Sequence, residues 1–424
     1  MDPLLGAHLA DWLHLAVRWL HITAAIAWVG ASFYFIALDR SLGEPEDARD
    51  AARGVGGEAW EIHGGGFYRI EKFRVAPARL PGSLRWFKWE AYLTWLSGFA
   101  LLVLLYYADP AQYLIDPNVM RLEPWAAVAV SLALLGLGWF AYDALSRGLA
   151  DRPLALAAAI TVLVVLVVAV ASALFSARAA YIQAGAVMGT WMAANVLFTI
   201  IPGQRELIRQ VERGSGSAGQ SESTGSGAPP RARAEARPKP EPTAMKRGKQ
   251  RSVHNNYLTL PVIFAMISQH FPFTYGHAYG AVILLALMAA GVLVQHFLNL
   301  RHSGRGEPLL LYGAAGLVIA VALVTGPSLA PAQPLTGAEL ASLRQVFTAR
   351  CVPCHAQRPA NVAFSVPPRG LSLESNERIS ANARLIYQQV VVTRQMPLGN
   401  QTGMTEDERD LISRWFRSGA RPLP

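Results

Sequence analysis

The residues best equipped for chemistry are Cys351, Cys354 and His355, which form C-x-x-C-H in TARCVPCHAQ, Thr348 to Gln357. Two thiols and an adjacent imidazole at that spacing are the pattern for covalent attachment of a c-type haem. Each cysteine would form a thioether, and His355 would bind the iron. A structural zinc site or a redox dithiol is the plainer reading of C-x-x-C, and the adjoining histidine favours haem c. The opposite ligand at such an iron is usually methionine, which raises the potential. Met396, beside Pro397 in RQMPLGN, is the expected ligand, with Met404 as its rival and core packing as the alternative for either.

A second set of polar residues interrupts an apolar run. By their spacing His14, Arg18, His21, Ala25 and Trp28 share one helical face. Ionisable groups within a membrane span are costly and usually point into the bundle. His21 is therefore a candidate ligand for haem b, with Arg18 on its propionates and His270 as second ligand. The competing reading is a histidine bonded to a neighbouring helix, with Arg18 reaching toward the interface.

Two polar stretches remain. In WEIHGGGFYRIEKFR, Trp60 to Arg74, the glycines Gly64, Gly65 and Gly66 follow His63. They allow close backbone approach and can present amide N–H groups to an anion. Arg69, Lys72 and Arg74 add positive charge, Phe67 and Tyr68 add flat surfaces, and Lys88 and Glu90 follow in WFKWEAY. The plainer reading is a flexible loop beside an interfacial aromatic belt of Trp86, Trp89 and Trp95. In HNNYLTLP, His254 to Pro261, Asn255 and Asn256 offer donors and acceptors suited to a purine edge, or else they cap a helix.

The elements that must position these residues follow from composition. Of 424 residues 52% are hydrophobic and only 16% charged, and the apolar ones come in long runs such as Leu154 to Phe175. Runs of that kind are transmembrane helices, because about 20 residues cross the ~30 Å hydrocarbon core. About eight such spans are expected: Trp12–Leu38, Ala91–Ala108, Pro124–Leu145, Pro153–Phe175, Ala179–Ile201, Tyr257–Phe273, Gly276–Leu300 and Pro308–Thr325. The formal charge of +9 needs no nucleic-acid partner. Alternate loops hold about two dozen basic residues against about two, which is the positive-inside pattern. It puts loops 39–90 and 202–256 in the cytoplasm, and both termini and the C-x-x-C-H segment in the periplasm. The first apolar run lacks the basic flank and exit site of a cleavable signal. Gly214–Pro242, within the loop 204–252, has a Gly/Ser and then Pro/Arg/Glu composition that cannot bury a core, so disorder is expected.

After Pro334 the chain turns globular. Thr336 with Glu339, and Thr405 with Glu408, form capping boxes that predict helices on either side of C-x-x-C-H. The expected architecture is all-α: a polytopic helix bundle over residues 1–328, then a small class I cytochrome c domain over 329–424.

RWLHITAAIAWVGASFYF, HGGGFYRIEKFRVAP, WFKWEAYLTWLSGFALLVLLYY and RSVHNNYLTLPVIFAMISQH, in that order, resemble the membrane-bound urate oxidases of bacteria, which end in a cytochrome c. The resemblance spans nearly the whole chain apart from Gly214–Pro242. It implies oxidation of urate to 5-hydroxyisourate in the inner membrane, with electrons passing to the c-type haem and on to a periplasmic cytochrome or terminal oxidase. Urate is a planar anion, so the resemblance makes Gly64, Gly65, Gly66, Phe67, Tyr68, Arg69, Lys72, Asn255 and Asn256 candidates for binding it. His63, Lys88, Glu90 and His254 are the candidate acid–base groups. The competing function is a membrane cytochrome that carries electrons from quinol to a terminal oxidase without purine chemistry.

Overall fold

The computed structural model describes residues 3–74, 77, 80–222, 242–326, 332–361 and 366–423. Most of the expected disordered segment, 223–241, lies outside these residues; 204–222 and 242–252 are helical. The apolar runs become helices, since a chain surrounded by lipid must satisfy its backbone groups internally. They are α1 (Pro3–Ser41), α2 (Trp89–Leu102), α3 (Pro124–Gly148), α4 (Pro153–Leu174), α5 (Ala177–Asn195), α6 (Ile201–Glu222), α7 (Pro242–Ile267), α8 (Gly280–Arg301) and α9 (Pro308–Val324). Proline opens α3, α4 and α9, where its missing N–H costs no hydrogen bond.

Six helical segments among the described residues are long and apolar enough to cross a membrane: His8–Ser41, Trp89–Tyr107, Pro124–Gly148, Pro153–Leu174, Ala177–Arg213 and Gly280–Arg301. The chain is thus a predominantly α-helical, multi-pass membrane protein. Two of the expected eight spans fall short. α7 carries Arg247, Lys249, Arg251, His254 and two asparagines before Pro261, which dilutes its apolar half. α9 is apolar but has only 17 residues.

An antiparallel hairpin departs from the all-α expectation. β1 (Val55–His63) pairs with β2 (Gly66–Phe73), with Ile62 opposite Phe67, Trp60 opposite Arg69 and His63 opposite Gly66. Gly64 and Gly65 turn the chain at φ 57° and 81°, the left-handed values that a two-residue hairpin turn demands at both central positions.

The chain divides into two compact units. The first comprises Met1–Ala100, Met188–Leu260 and Val292–Gly313; the second comprises Leu101–Val187, Pro261–Gly291 and Ala314–Pro424. In the second unit, α10 (Gly337–Arg350) and α11 (Glu406–Arg417) both begin with the expected capping boxes. They enclose a core in which the Phe347 and Trp415 rings meet edge to face at 5.7 Å, beside Leu343, Met404 and Ile412. No separate small cytochrome c fold stands apart among the described residues.

Candidate functional site

The charges of the hairpin are already committed. Arg69 pairs with Asp50 and Glu58, approaches Glu71 at 3.5 Å, and lies 5.7 Å from the Trp60 ring centre. Asp50 and Glu58 are buried, and hydrogen bonds from Arg69 hold both carboxyls below the usual carboxylate range. Lys72 pairs with Asp39. Arg69 and Lys72, two of the cations expected to receive an anion, therefore neutralise the protein's own carboxylates. Gly64 and Gly65 form the hairpin turn, and His63, Phe67 and Tyr68 are exposed at its end.

Lys88 lies over the rings of Trp86 and Trp89 at 5.9 and 5.5 Å. Glu90 follows in the first turn of α2, where Oε2 is buried with no hydrogen-bond partner among the described residues. Ala91 packs with Val196 and Ile201, setting this turn against the α5–α6 junction.

That junction leads to the densest buried polar group of the first unit. Asn195, Asn255, Asn256, Gln295, Asn299 and Arg251 are each at most 6% exposed. Arg251 donates to Asn195 Oδ1 at 3.2 Å, and Asn195 donates to Asn255 Oδ1 at 2.8 Å. Asn255 in turn donates to the Met192 carbonyl at 3.0 Å. On the other side Asn299 donates to Asn256 Oδ1 at 2.7 Å, and Gln295 donates to Asn299 Oδ1 at 3.5 Å. The Arg40 guanidinium of α1 closes the group by donating to the Asn299 carbonyl at 2.5 Å, near the end of α8, where helix carbonyls need partners.

Two atoms of this group remain unsatisfied among the described residues: Asn256 Nδ2, a donor, and Gln295 Oε1, an acceptor. A buried polar atom without a partner costs about 1–3 kcal/mol. Asn256 Nδ2 needs an acceptor and Gln295 Oε1 needs a donor. His254 belongs to the same helix, outside the six long apolar segments. Burial, then the neighbouring Arg251 charge, pushes its pKa down to about 4, so the imidazole is neutral at pH 7.

The structure thus bonds Asn255 to Asn195, which Arg251 also bonds, and Asn256 to Asn299, which Gln295 also bonds; the sequence reading singled out none of Asn195, Arg251, Gln295 and Asn299 as a site residue. Gln295 and Asn299 stand four apart, with His296 between them, at the end of a helix that is apolar from Ala281 to Val294, and polar residues so placed are a sequence signal for a site. The hairpin candidates stay outside this hydrogen-bonded group.

The haem and iron expectations are corrected. Among the described residues, no group of three or more His, Cys, Asp or Glu side chains could hold a metal ion. Cys351, Cys354 and His355 keep their spacing in sequence, but the environment gives no support to haem c. Cys351 is buried in the hydrophobic core, where burial pushes its thiol up to about 12. His355 Nδ1 bonds the Leu371 carbonyl at 2.9 Å, and Met396 packs against the same core. Haem b fares no better. His21 Nδ1 meets the Thr94 carbonyl at 3.0 Å and Ser97 Oγ at 3.2 Å, so it is bonded to a neighbouring helix. Its ring lies so close to Gly98 that an added Cβ there would stand 2.8 Å from Cε1. Arg18 and His270 are exposed, and His270 belongs to the other unit. Cytochrome chemistry and metal binding are withdrawn with these groups.

Fold and site together define a multi-pass helical membrane protein whose first unit encloses an incompletely bonded amide cluster. The chain belongs to the family described as urate oxidase N-terminal, whose profile matches residues 7–228 and 231–326. Membership supports urate-oxidase-type chemistry and urate as the general substrate class. No curated protein and no solved structure matches the chain.

Proposed function

We propose that this chain is a membrane-bound urate oxidase whose substrate site is the amide cluster of Asn195, Asn255, Asn256, Gln295 and Asn299. The observation that carries the reading is the buried, unpartnered pair Asn256 Nδ2 and Gln295 Oε1. The edge of a urate ring alternates carbonyl oxygens with N–H groups. It can accept from Asn256 and donate to Gln295, while Asn299 bonds both of those side chains.

The reaction is urate + H₂O → 5-hydroxyisourate + 2 H⁺ + 2 e⁻. A base must take a proton while water adds to the ring. His254, neutral and beside the cluster, is assigned that role; Glu90, with a buried unpartnered oxygen, is the second candidate, ahead of His63 and Lys88. The buried Arg251 supplies positive charge for the urate anion. The two electrons leave urate for a separate respiratory carrier, a periplasmic cytochrome or terminal oxidase, which is the oxidant of the reaction. In this reading the basic loops face the cytoplasm, where urate is made, and residues 1–328 form the substrate domain, with 329–424 beyond it.

The test uses membranes containing the full chain, held without oxygen, with ferricyanide as acceptor. Urate is expected to disappear as ferricyanide is reduced, two equivalents per urate, and the variants N256L and Q295L are expected to lose the reaction. Unchanged urate alongside oxidation of an added quinol would overturn the proposal in favour of an electron carrier.

A further inference from the structure

We infer that the β1–β2 hairpin folds back along α1 to set its apolar tip at the lipid surface, with the headgroup–acyl boundary as its partner. Three contacts fix its course. Gly43 and Glu58 exchange backbone hydrogen bonds at 2.9 Å each way, Lys72 pairs with Asp39, and Tyr34 donates to Glu61 Oε2 at 2.8 Å. From Glu58 to Glu61 a strand advances about 10 Å. From Ser41 back to Tyr34 a helix retreats about 10 Å. The two runs keep step, so the hairpin descends beside the helix that it follows in sequence.

The depth of that descent is set by α1. Between Arg18 and Asp39 the helix has no Asp, Glu, Lys or Arg, a length of about 30 Å that matches the hydrocarbon core. Tyr34 lies about 7 Å inside the Asp39 end of this stretch, so Glu61 is level with the outermost acyl chains. Ile62, Phe67 and the turn extend beyond it.

The side chains change character along the same axis. The base of the hairpin carries Asp50, Arg53, Glu58, Arg69 and Glu71, joined in ion pairs. Trp60, level with Arg69, is 60% exposed, and toward the tip Ile62, Phe67 and Tyr68 are 69%, 78% and 53% exposed. Trp60, Ile62 and Phe67 share one face of the ribbon. In water such exposure is unfavourable; at the boundary, tryptophan and tyrosine are enriched and apolar tips are buried. The two open edges of the ribbon could not be satisfied deep in hydrocarbon. The strands therefore stay at the boundary while the tip side chains enter the apolar zone.

The experiment replaces Phe67 with p-benzoylphenylalanine in the full chain, irradiates native membranes and identifies adducts by mass spectrometry, with the same probe at Glu46 near the hairpin base as the reference. Lipid adducts at position 67 are expected to exceed those at position 46 at least tenfold. Cross-links chiefly to a second copy of the chain, or equal lipid labelling at both positions, would overturn the inference. Should the Phe67 variant fail to reach the membrane, the probe at Ile62 is expected to give the same excess and is read by the same criteria.

Discussion

The hairpin and the amide cluster are both polar, both belong to the first unit, and both flank the end of α1, yet their bonding differs. In the hairpin Arg69 and Lys72 meet carboxylates of the protein itself. In the cluster a donor and an acceptor lie buried without partners among the described residues. A charged sequence therefore does not by itself mark a ligand site, because its charges can be neutralised internally. An incompletely bonded, buried set of neutral amides is the stronger signal, since the fold bears a cost that a ligand removes.

Substitutions can break that contrast. The largest effect is expected from N256L or Q295L, which should lower urate turnover at least 100-fold, about 2.7 kcal/mol of transition-state stabilisation. Each substitution also removes an atom bonded to Asn299, Asn256 Oδ1 or Gln295 Nε2, so the amount of each variant in the membrane is measured beside its turnover. Equal turnover in N256L and wild type would erase the distinction between the two regions.

A pH effect comes next. His254 has a folded pKa of about 4, below the ordinary value near 6.5. Between these values the unfolded chain binds more protons, so stability should fall as pH drops from about 6.5 to about 4. The loss should reach roughly 2–3 kcal/mol. H254N should flatten this part of the stability curve in detergent. An unchanged slope would show that His254 is not held neutral by its surroundings.

R69M tests the hairpin side. It leaves the buried Glu58 carboxyl without a cation and Asp50 with Arg53 alone, so hydrogen exchange should accelerate at Trp60–His63 while the urate KM stays within about twofold. The two carboxyls are held low by Arg69, so in the wild type their contribution is present above about pH 4 and lost below it. A large rise in KM with R69M would restore the hairpin as part of the substrate site. The smallest effect is expected from G65A: a β-carbon at φ 81° should cost about 1 kcal/mol in hairpin stability.

The membrane helices were legible because a long uncharged run has few other fates, and the capping boxes were legible because they are local. The hairpin was written in the sequence as well, with residues of strand type on both sides of Gly64–Gly65, but the glycines were read as an anion cradle. What could not be read was pairing at a distance. The partners of Arg69 lie at positions 50 and 58, and that of Lys72 at 39. Asn255 and Asn256 were visible as candidates, but Asn195 and Asn299 join them only through helix packing. C-x-x-C-H shows the opposite limit, since spacing specifies a pattern and says nothing of the core that surrounds Cys351.

Asp39 and Arg40 are neighbours on α1, and they reach in two directions. Asp39 holds Lys72 of the hairpin, while Arg40 holds the Asn299 carbonyl, whose own side chain grips Asn256. The bond path from the hairpin to the cluster thus crosses the chain at a single peptide link, so the end of α1 is a strut with a load at each side.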